Sequence, residues 1–427
     1  MADSIVLGID LGTSGVRVCA IDGAEAVVGS SSTALPPPRQ LGAAIEQDPE
    51  LWWRAVVETM TTLGRSLDLS RVSRIAVDGT SGTLLLVDDA GQPCSAGLMY
   101  NDSRAARQAL DIAEVAPAES GAHGPSAALA KLMHLRHEGI GAHALHAMHQ
   151  ADWIAGRLAG RFGISDENNA LKLGYDPVTR MWPSWIDELH VPRALLPQVV
   201  VPGSLIGHIQ LAIAAQIGLP TTVEIRAGTT DGVASFLATR AADPGDAVTS
   251  LGTTLVVKLL SDRPIFAANQ GIYSHRLGDR WLAGGASNSG GAALLAHFTA
   301  ERMAELTPQL NPAKSTGLDY YPLPKPGERF PIADLTLAPR VSPRPADDVQ
   351  FFQGLLEGIA AIEARAYAQL RVLGAPALRR VISIGGGARN TAWTTIRQRA
   401  LGVPVTGATR TEASFGTSLL ALHWGPP

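Results

Sequence analysis

Two cysteines, Cys19 and Cys94, are the only thiols in 427 residues. That is too few for a disulfide framework and suits a reducing compartment. Neither sign of charge is in large excess: 35 Lys and Arg against 39 Asp and Glu leave a net charge of −4. Such a balance argues against nucleic acid or an anionic membrane surface as a general partner. No apolar run approaches the roughly twenty residues of a membrane span. The opening "MADSIVLG" has no basic stretch leading into an apolar one, so no signal peptide is expected. The expected location is the cytoplasm.

Several motifs are missing as well. No G-x-x-x-x-G-K-[ST] is present, which excludes a P-loop, and no G-x-G-x-x-G follows the first apolar run. No Cys/His set has zinc-ligand spacing. The histidines of "KLMHLRHEGIGAHALHAMHQ" fall at helical spacings and read as exposed or packing residues.

The length implies two domains. In "IVLGIDLGTSGVRVCAID" (5–22), two apolar runs flank a Gly-rich turn, the pattern of a β-hairpin. Asp10 stands inside the first run, where a carboxylate is costly unless a charge or hydrogen bond meets it. With Gly12, Thr13 and Ser14 beside it, the turn suits an anion next to a carboxylate that can hold a metal. "DAVTSLGTTLVVKLLS" (246–261) repeats the plan, which suggests two related α/β halves. Between them, "DPELWWRAVVETMTTLG" reads as a helix with Asp48 as N-cap, Pro49 at its first position and Gly64 at its stop. Residues 34–47 read as a loop and the proline-rich 320–345 as a long surface excursion. Residues 348–374 read as a strong helix.

Three strands run into turns, at "DLGTSG", "SLGTT" and "IGGGARN", and fit a nucleotide whose phosphates are held by hairpins and whose base rests on a Gly-rich floor. A fourth, "GTTDG" (228–232), presents Asp231 where a strand ends and a helix starts. A helix N-cap is its plain alternative role.

Together "GIDLGTSGVR", "IEQDPELWW", "VDGTSGT", "YNDSRA", "GTTDG", "SLGTT", "GERFP", "SIGGGARN" and "EASFGTSLLA" resemble, in order, the FGGY carbohydrate kinases, and most of all the compact pentulose kinases of cyanobacteria and plants. The resemblance implies an α/β protein of two RNase H-like domains, of the actin/Hsp70/sugar-kinase superfold, with a central ATP/sugar cleft. It implies a sugar and phosphate domain over 1–238 and a nucleotide-binding domain over 239–427. Asp231 becomes the general base for the sugar hydroxyl and Asp10 the Mg²⁺ ligand. Gly12, Thr13, Ser14, Arg17, Gly252, Thr253 and Thr254 would meet the ATP phosphates, and Gly385, Gly386, Gly387 and Asn390 the adenosine. Asp78, Thr80, Ser81, Asn101, Asp102 and Asp231 are the sugar candidates.

The chain departs from the family pattern in places. Tyr100 stands where a Trp is common, "GTSGT" replaces Gln-Met-His or Asn-Gln-Arg-Glu, and Lys131 opens a K-x-x-W pattern that lacks its Trp. The expected partners are ATP and a free sugar, with the chain a monomer or homodimer. With no Lys/Arg cluster in the sugar loops, the acceptor reads as a neutral ketopentose, D-ribulose or D-xylulose, leaning to D-ribulose on resemblance. The alternatives are a kinase for glycerol or another polyol, and a nucleotide-gated actin/Hsp70-like binding module.

Overall fold

The computed structural model describes residues 4–423. The described chain folds as two units, residues 4–238 with 412–423, and residues 239–411. The sequence reading runs the second domain to residue 427. The structure instead returns the last helix to the first unit, and residues 424–427 lie outside the described residues.

The first unit is built on a six-stranded sheet of β1 (Ile5–Gly12), β2 (Gly15–Asp22), β3 (Val27–Ala34), β4 (Val72–Gly79), β5 (Leu205–His208) and β6 (Glu224–Thr230). Their spatial order is β5-β6-β4-β1-β2-β3. β1, β2 and β3 form an antiparallel meander, while β4 runs parallel to β1 and β6 parallel to β4. β1 is almost wholly apolar because helices cover both of its faces. Ile5, Leu7 and Ile9 join a core with Trp52 and Trp153 from helices α1 (Pro49–Leu63) and α3 (Gln150–Ala159). Val6 faces the other way, into a cluster with Phe415 and Leu419 of α7 (Ala413–His423) and Ala238 at the end of α4 (Asp231–Ala238). Gly8 lets α7 lie directly on the strand, since a Cβ there would come within 2.1 Å of the Ser414 carbonyl oxygen.

As the sequence suggests, Asp48 caps α1, its carboxylate accepting the Glu50 N–H at 3.0 Å. The 34–47 stretch differs from the expected loop. Arg39–Leu41 and Ala44–Gln47 pair as a hairpin at the edge of a separate five-stranded sheet that also holds Leu84–Val87, Gly97–Leu98 and His146–His149. Helix α2 (Ala128–His137) packs against Leu84–Val87 in this part of the molecule.

The second unit repeats the ladder with β7 (Asp246–Leu251), β8 (Leu255–Ser261), β9 (Tyr273–Leu277), β10 (Arg280–Ser287), β11 (Arg380–Ile384) and β12 (Val405–Gly407). The order is β9-β10-β8-β7-β11-β12, with β11 parallel to β7 and β12 parallel to β11. Helix α5 (Asp348–Val372) supplies much of its core through Phe351, Phe352, Leu355, Leu356 and Ile359. Helix α6 (Thr391–Leu401) follows β11.

The 320–345 stretch is a surface excursion only in its second half, where residues 333–345 are largely exposed; its first half is anchored. Tyr320, Tyr321, Leu323 and Phe330 are buried and anchor it to the core, and Glu328 is buried with Ser287 and Tyr321 donating to its carboxylate. Among the described residues, no helix is long and apolar enough to cross a membrane.

Candidate functional site

In the first unit, three carboxyls stand at the carboxyl ends of three adjacent parallel strands. Asp10 lies near the end of β1, Asp78 pairs with it in register near the end of β4, and Asp231 follows the last residue of β6 directly. Ligands of open α/β sheets bind at this edge, because the strands deliver side chains there on a rigid frame. Gly228 allows the close passage of β6 past β4; a Cβ on it would fall 1.6 Å from the Val77 carbonyl oxygen.

The three carboxyls are not equivalent. Asp78 is fully buried, and its carboxyl is pushed well above the usual range, first by burial and then by the charge of Asp10. Its Oδ2 accepts the Thr417 hydroxyl of α7, and its Oδ1 has no hydrogen-bond partner. Asp10 is also raised by burial, against the opposing pull of Arg17, whose guanidinium lies 3.2 Å away on β2. Two adjacent carboxyls in one buried site hold charge unequally. Asp10, with a cation beside it, is the one better able to be anionic, and Asp78 the one that keeps its proton. Asp231 is half-buried, the first residue of α4, and its Oδ1 accepts the Gly232 N–H at 2.6 Å.

The β1–β2 turn places Gly12, Thr13 and Ser14 beside Asp10. Gly15 is dictated by packing rather than by a ligand, because a Cβ there would meet the Thr33 carbonyl oxygen at 2.7 Å. Arg17 is directed at Asp10 rather than standing alone as an anion site.

Among the sugar candidates, Asp102 has a different role from the one expected. It is fully buried, accepts the Ile45 N–H at 2.7 Å, and takes several hydrogen bonds from Arg104, which also reaches Glu46. That carboxylate braces loops. Thr80 is also turned inward: it donates to Gln150 Oε1 at 3.0 Å and shares a hydrogen bond with Thr83. Ser81 is half-buried and Asn101 exposed.

In the second unit, the expected phosphate and adenosine loops lie together. Gly252, Thr253 and Thr254 form the β7–β8 turn, and the Gly252 and Thr253 carbonyls accept the N–H groups of Gly291 and Ala292. Gly385, Gly386 and Gly387 leave the end of the adjacent strand β11. Gly385 has φ +85°, and a Cβ on it would meet the Leu251 carbonyl oxygen at 2.8 Å, so a side chain is excluded there. Asn390 caps α6, its Oδ1 accepting the Trp393 N–H at 2.9 Å, which commits that side chain to the helix.

Sequence reasoning gave no role to three residues at the first-unit site. Thr417, within "EASFGTSLLA", reaches Asp78 from 339 positions away. Gln150 anchors the turn after β4. Lys131 Nζ is buried and donates to the Gly82 and Met99 carbonyls. Two of them lie in motifs the sequence offers, Lys131 at the head of the K-x-x-W pattern and Thr417 in "EASFGTSLLA", but neither motif says what its side chain meets.

Residues 5–238 match the model of the N-terminal domain of the FGGY family of carbohydrate kinases, and residues 247–424 match its C-terminal domain. The chain belongs to that family. This FGGY chain is 25% identical over 444 aligned residues to a xylulose kinase of Staphylococcus epidermidis, covering 99% of this chain and 88% of the relative. It is 28% identical over 437 residues to a xylulose kinase of Streptomyces coelicolor, covering 94% and 84%. The solved structure of a "xyloylose kinase" from Brucella ovis superposes with a TM-score of 0.90 at 25% identity, over 98% of this chain and 90% of that one. The α/β fold and sugar-kinase assignment expected from the motifs therefore hold, and ATP is the phosphoryl donor of the family.

Proposed function

We propose that this FGGY kinase transfers the γ-phosphoryl group of ATP to the terminal 5-hydroxyl of a free ketopentose, with Asp231 as general base. The observation that carries the reading is the position of Asp231, at the end of a parallel strand and on the first turn of a helix. An alcohol is a weak nucleophile at neutral pH, and a carboxylate within reach of its proton orients it and accepts the proton as the new P–O bond forms. Phosphoryl transfer otherwise asks for alignment and charge neutralisation.

Mg²⁺ bound to ATP supplies much of that neutralisation. Among the described residues, no three His, Cys, Asp or Glu side chains converge on a metal position. Mg²⁺ in such sites is held mainly by phosphates and water with one or two carboxylates, and Asp10 would be its protein anchor here. Thr13, Ser14 and the backbone at Gly12 would meet phosphate oxygens from the first unit, and Gly252, Thr253 and Thr254 from the second. Gly385, Gly386 and Gly387 would floor the adenosine.

The acceptor is neutral on this reading. Arg104 is paired with Asp102 and Glu46, and Lys131 is buried against carbonyls, so neither cation is available to a second phosphate. Ser81 and Asn101 are the candidates for direct sugar contact. The names of the relatives favour D-xylulose over the D-ribulose to which the motifs alone lean. The free thiols Cys19 and Cys94 fit a cytoplasmic enzyme.

The test is ADP release measured with D-xylulose, D-ribulose, glycerol and D-xylulose 5-phosphate. The highest kcat/KM is expected for D-xylulose. A higher value for glycerol or the sugar phosphate would overturn the assignment of the acceptor, and no sugar-dependent ADP release at all would overturn the kinase reading.

A further inference from the structure

Lys131 is a buried basic residue with no carboxylate bonded to it among the described residues. It projects from α2, is fully enclosed, and donates to the carbonyl oxygens of Gly82 at 2.8 Å and Met99 at 2.6 Å. Those two carbonyls belong to different turns. Gly82 lies in "DGTSGT", the turn that leaves β4 after Asp78, and Met99 immediately precedes "YNDSRA". The Leu84–Leu98 pairing brings the flanking strands together, and Lys131 ties the turns just beyond it.

Each turn is held separately at its other end. Gln150 Oε1 accepts from the Thr80 N–H and hydroxyl, and the Ile45 N–H and Arg104 hold Asp102. Lys131 thus bridges the turn that carries Ser81 to the turn that carries Asn101, the two accessible candidates for sugar contact. We propose that Lys131 is a positioning residue for the acceptor: by clamping the Gly82 and Met99 carbonyls it fixes the spacing of the two turns and so the enzyme's selectivity among sugars.

The inference rests on the sugar-kinase reading and not on which sugar is the substrate. The donor chemistry fits this role. Burial brings the Lys131 amine down to about 7, aided by the nearby cations Lys172 and Arg104 and opposed by Asp102. The ammonium carries three N–H donors and the neutral amine two, so either form can serve both carbonyls, and the donor pair rather than the charge makes the clamp. Selectivity between sugars that differ at one hydroxyl depends on sub-ångström placement, and a misplacement of about 1 Å costs on the order of 10²-fold.

The experiment compares Lys131→Met, of similar length without donors, with Lys131→Gln, one bond shorter but with an N–H pair. Each is assayed with the best sugar identified for the parent enzyme and two weaker ones, together with ATP kinetics and melting temperature. Lys131→Met is expected to lower kcat/KM for the best sugar by roughly 10- to 100-fold and to flatten the ranking of the three sugars. KM for ATP should stay within about threefold, and Lys131→Gln should recover a good part of both the rate and the ranking. Equal losses towards sugar and ATP, or an unchanged sugar ranking beside a lowered melting temperature, would overturn the proposal. If Lys131→Met does not fold, Lys131→Gln decides alone: a partial flattening of the sugar ranking with KM for ATP unchanged is expected, and an unchanged ranking or equal losses towards sugar and ATP would overturn the proposal. A parent enzyme that phosphorylates none of the sugars would refute the kinase reading itself, a distinct outcome visible before any variant is made.

Discussion

The two units carry the same ladder and use it differently. In each, an antiparallel run of strands is extended by two parallel ones, β1 with β4 and β6 in one, β7 with β11 and β12 in the other. Both first hairpins turn through a Gly-Thr sequence, Gly12-Thr13 and Gly252-Thr253. Two residues before each turn glycine the chemistry diverges. Asp10 pairs in register with Asp78, whereas Ser250 pairs with Ile384. The second parallel strand of the first unit leads straight into Asp231, while β12 ends at Gly407.

Buried charge is present in the second unit too, but it has been made structural. Arg397 of α6 and Glu363 of α5 form a fully enclosed pair that also binds Ser383, Thr249 and, through Thr249, Tyr367. One scaffold thus gathers carboxyls at its strand ends, and its duplicate keeps its charges inside and offers glycine backbone at the edge.

The sharpest way to break the comparison is to remove the proposed base. Asp231→Ala should lower kcat by roughly 10²–10⁴-fold with little change in ATP affinity, read by steady-state kinetics and nucleotide titration. Loss of less than about tenfold would show that the strand-end carboxyl of the first unit is not the base.

Next is the structural pair of the second unit. Arg397→Met leaves Glu363 enclosed without its partner and should cost about 3–5 kcal/mol of stability in denaturant unfolding. Molecules that remain folded at low temperature should keep their turnover.

Exchanging the equivalent positions tests the divergence directly. Asp10→Ser, which gives the first hairpin the residue of the second, should reduce kcat about 10- to 100-fold, with a higher Mg²⁺ requirement. At the matching position of the second hairpin, Ser250→Ala should change kcat by no more than about twofold.

The smallest effect is expected at Asp78. Its folded pKa is raised, so relative to an uncharged residue it adds stability at acid pH, below its unfolded value, and loses that contribution as the pH rises through the folded value. Asp78→Asn should therefore compare least well with the parent in melting temperature at acid pH and gain on it as the pH rises, while keeping most of the activity. A melting-temperature difference that does not vary with pH would mean that folding leaves the Asp78 carboxyl unshifted.

Much of this architecture was legible in the chain. The hairpins at 5–22 and 246–261, the capped helix from Pro49 and the strand-to-helix switch before Asp231 follow from local patterns of apolar residues, glycines and caps. What escaped depends on distant partners. Asp102 reads as a sugar ligand until Ile45, 57 positions away, is seen to donate to it. The proline-rich 320–345 segment looks solvent-borne until Phe330 is found at 0% exposure. Thr80 offers a hydroxyl to a ligand in sequence and to Gln150 in space. Local chemistry announces which groups are unusual; only packing decides which way they face.

The return of α7 to the first unit has a consequence for biosynthesis. Residues 239–411 form a continuous stretch, while the first unit needs a helix that follows them in the chain. Gly8 and Gly416 are shaped for that helix: a Cβ on Gly416 would fall 1.8 Å from the Ala234 carbonyl oxygen. The Thr417 hydroxyl on Asp78 arrives with it. On the ribosome the second unit can therefore close first, while the carboxyl edge of the first waits for α7 to emerge. A chain truncated just before α7 would carry every candidate ligand named above and still lack the wedge that seats its central strand.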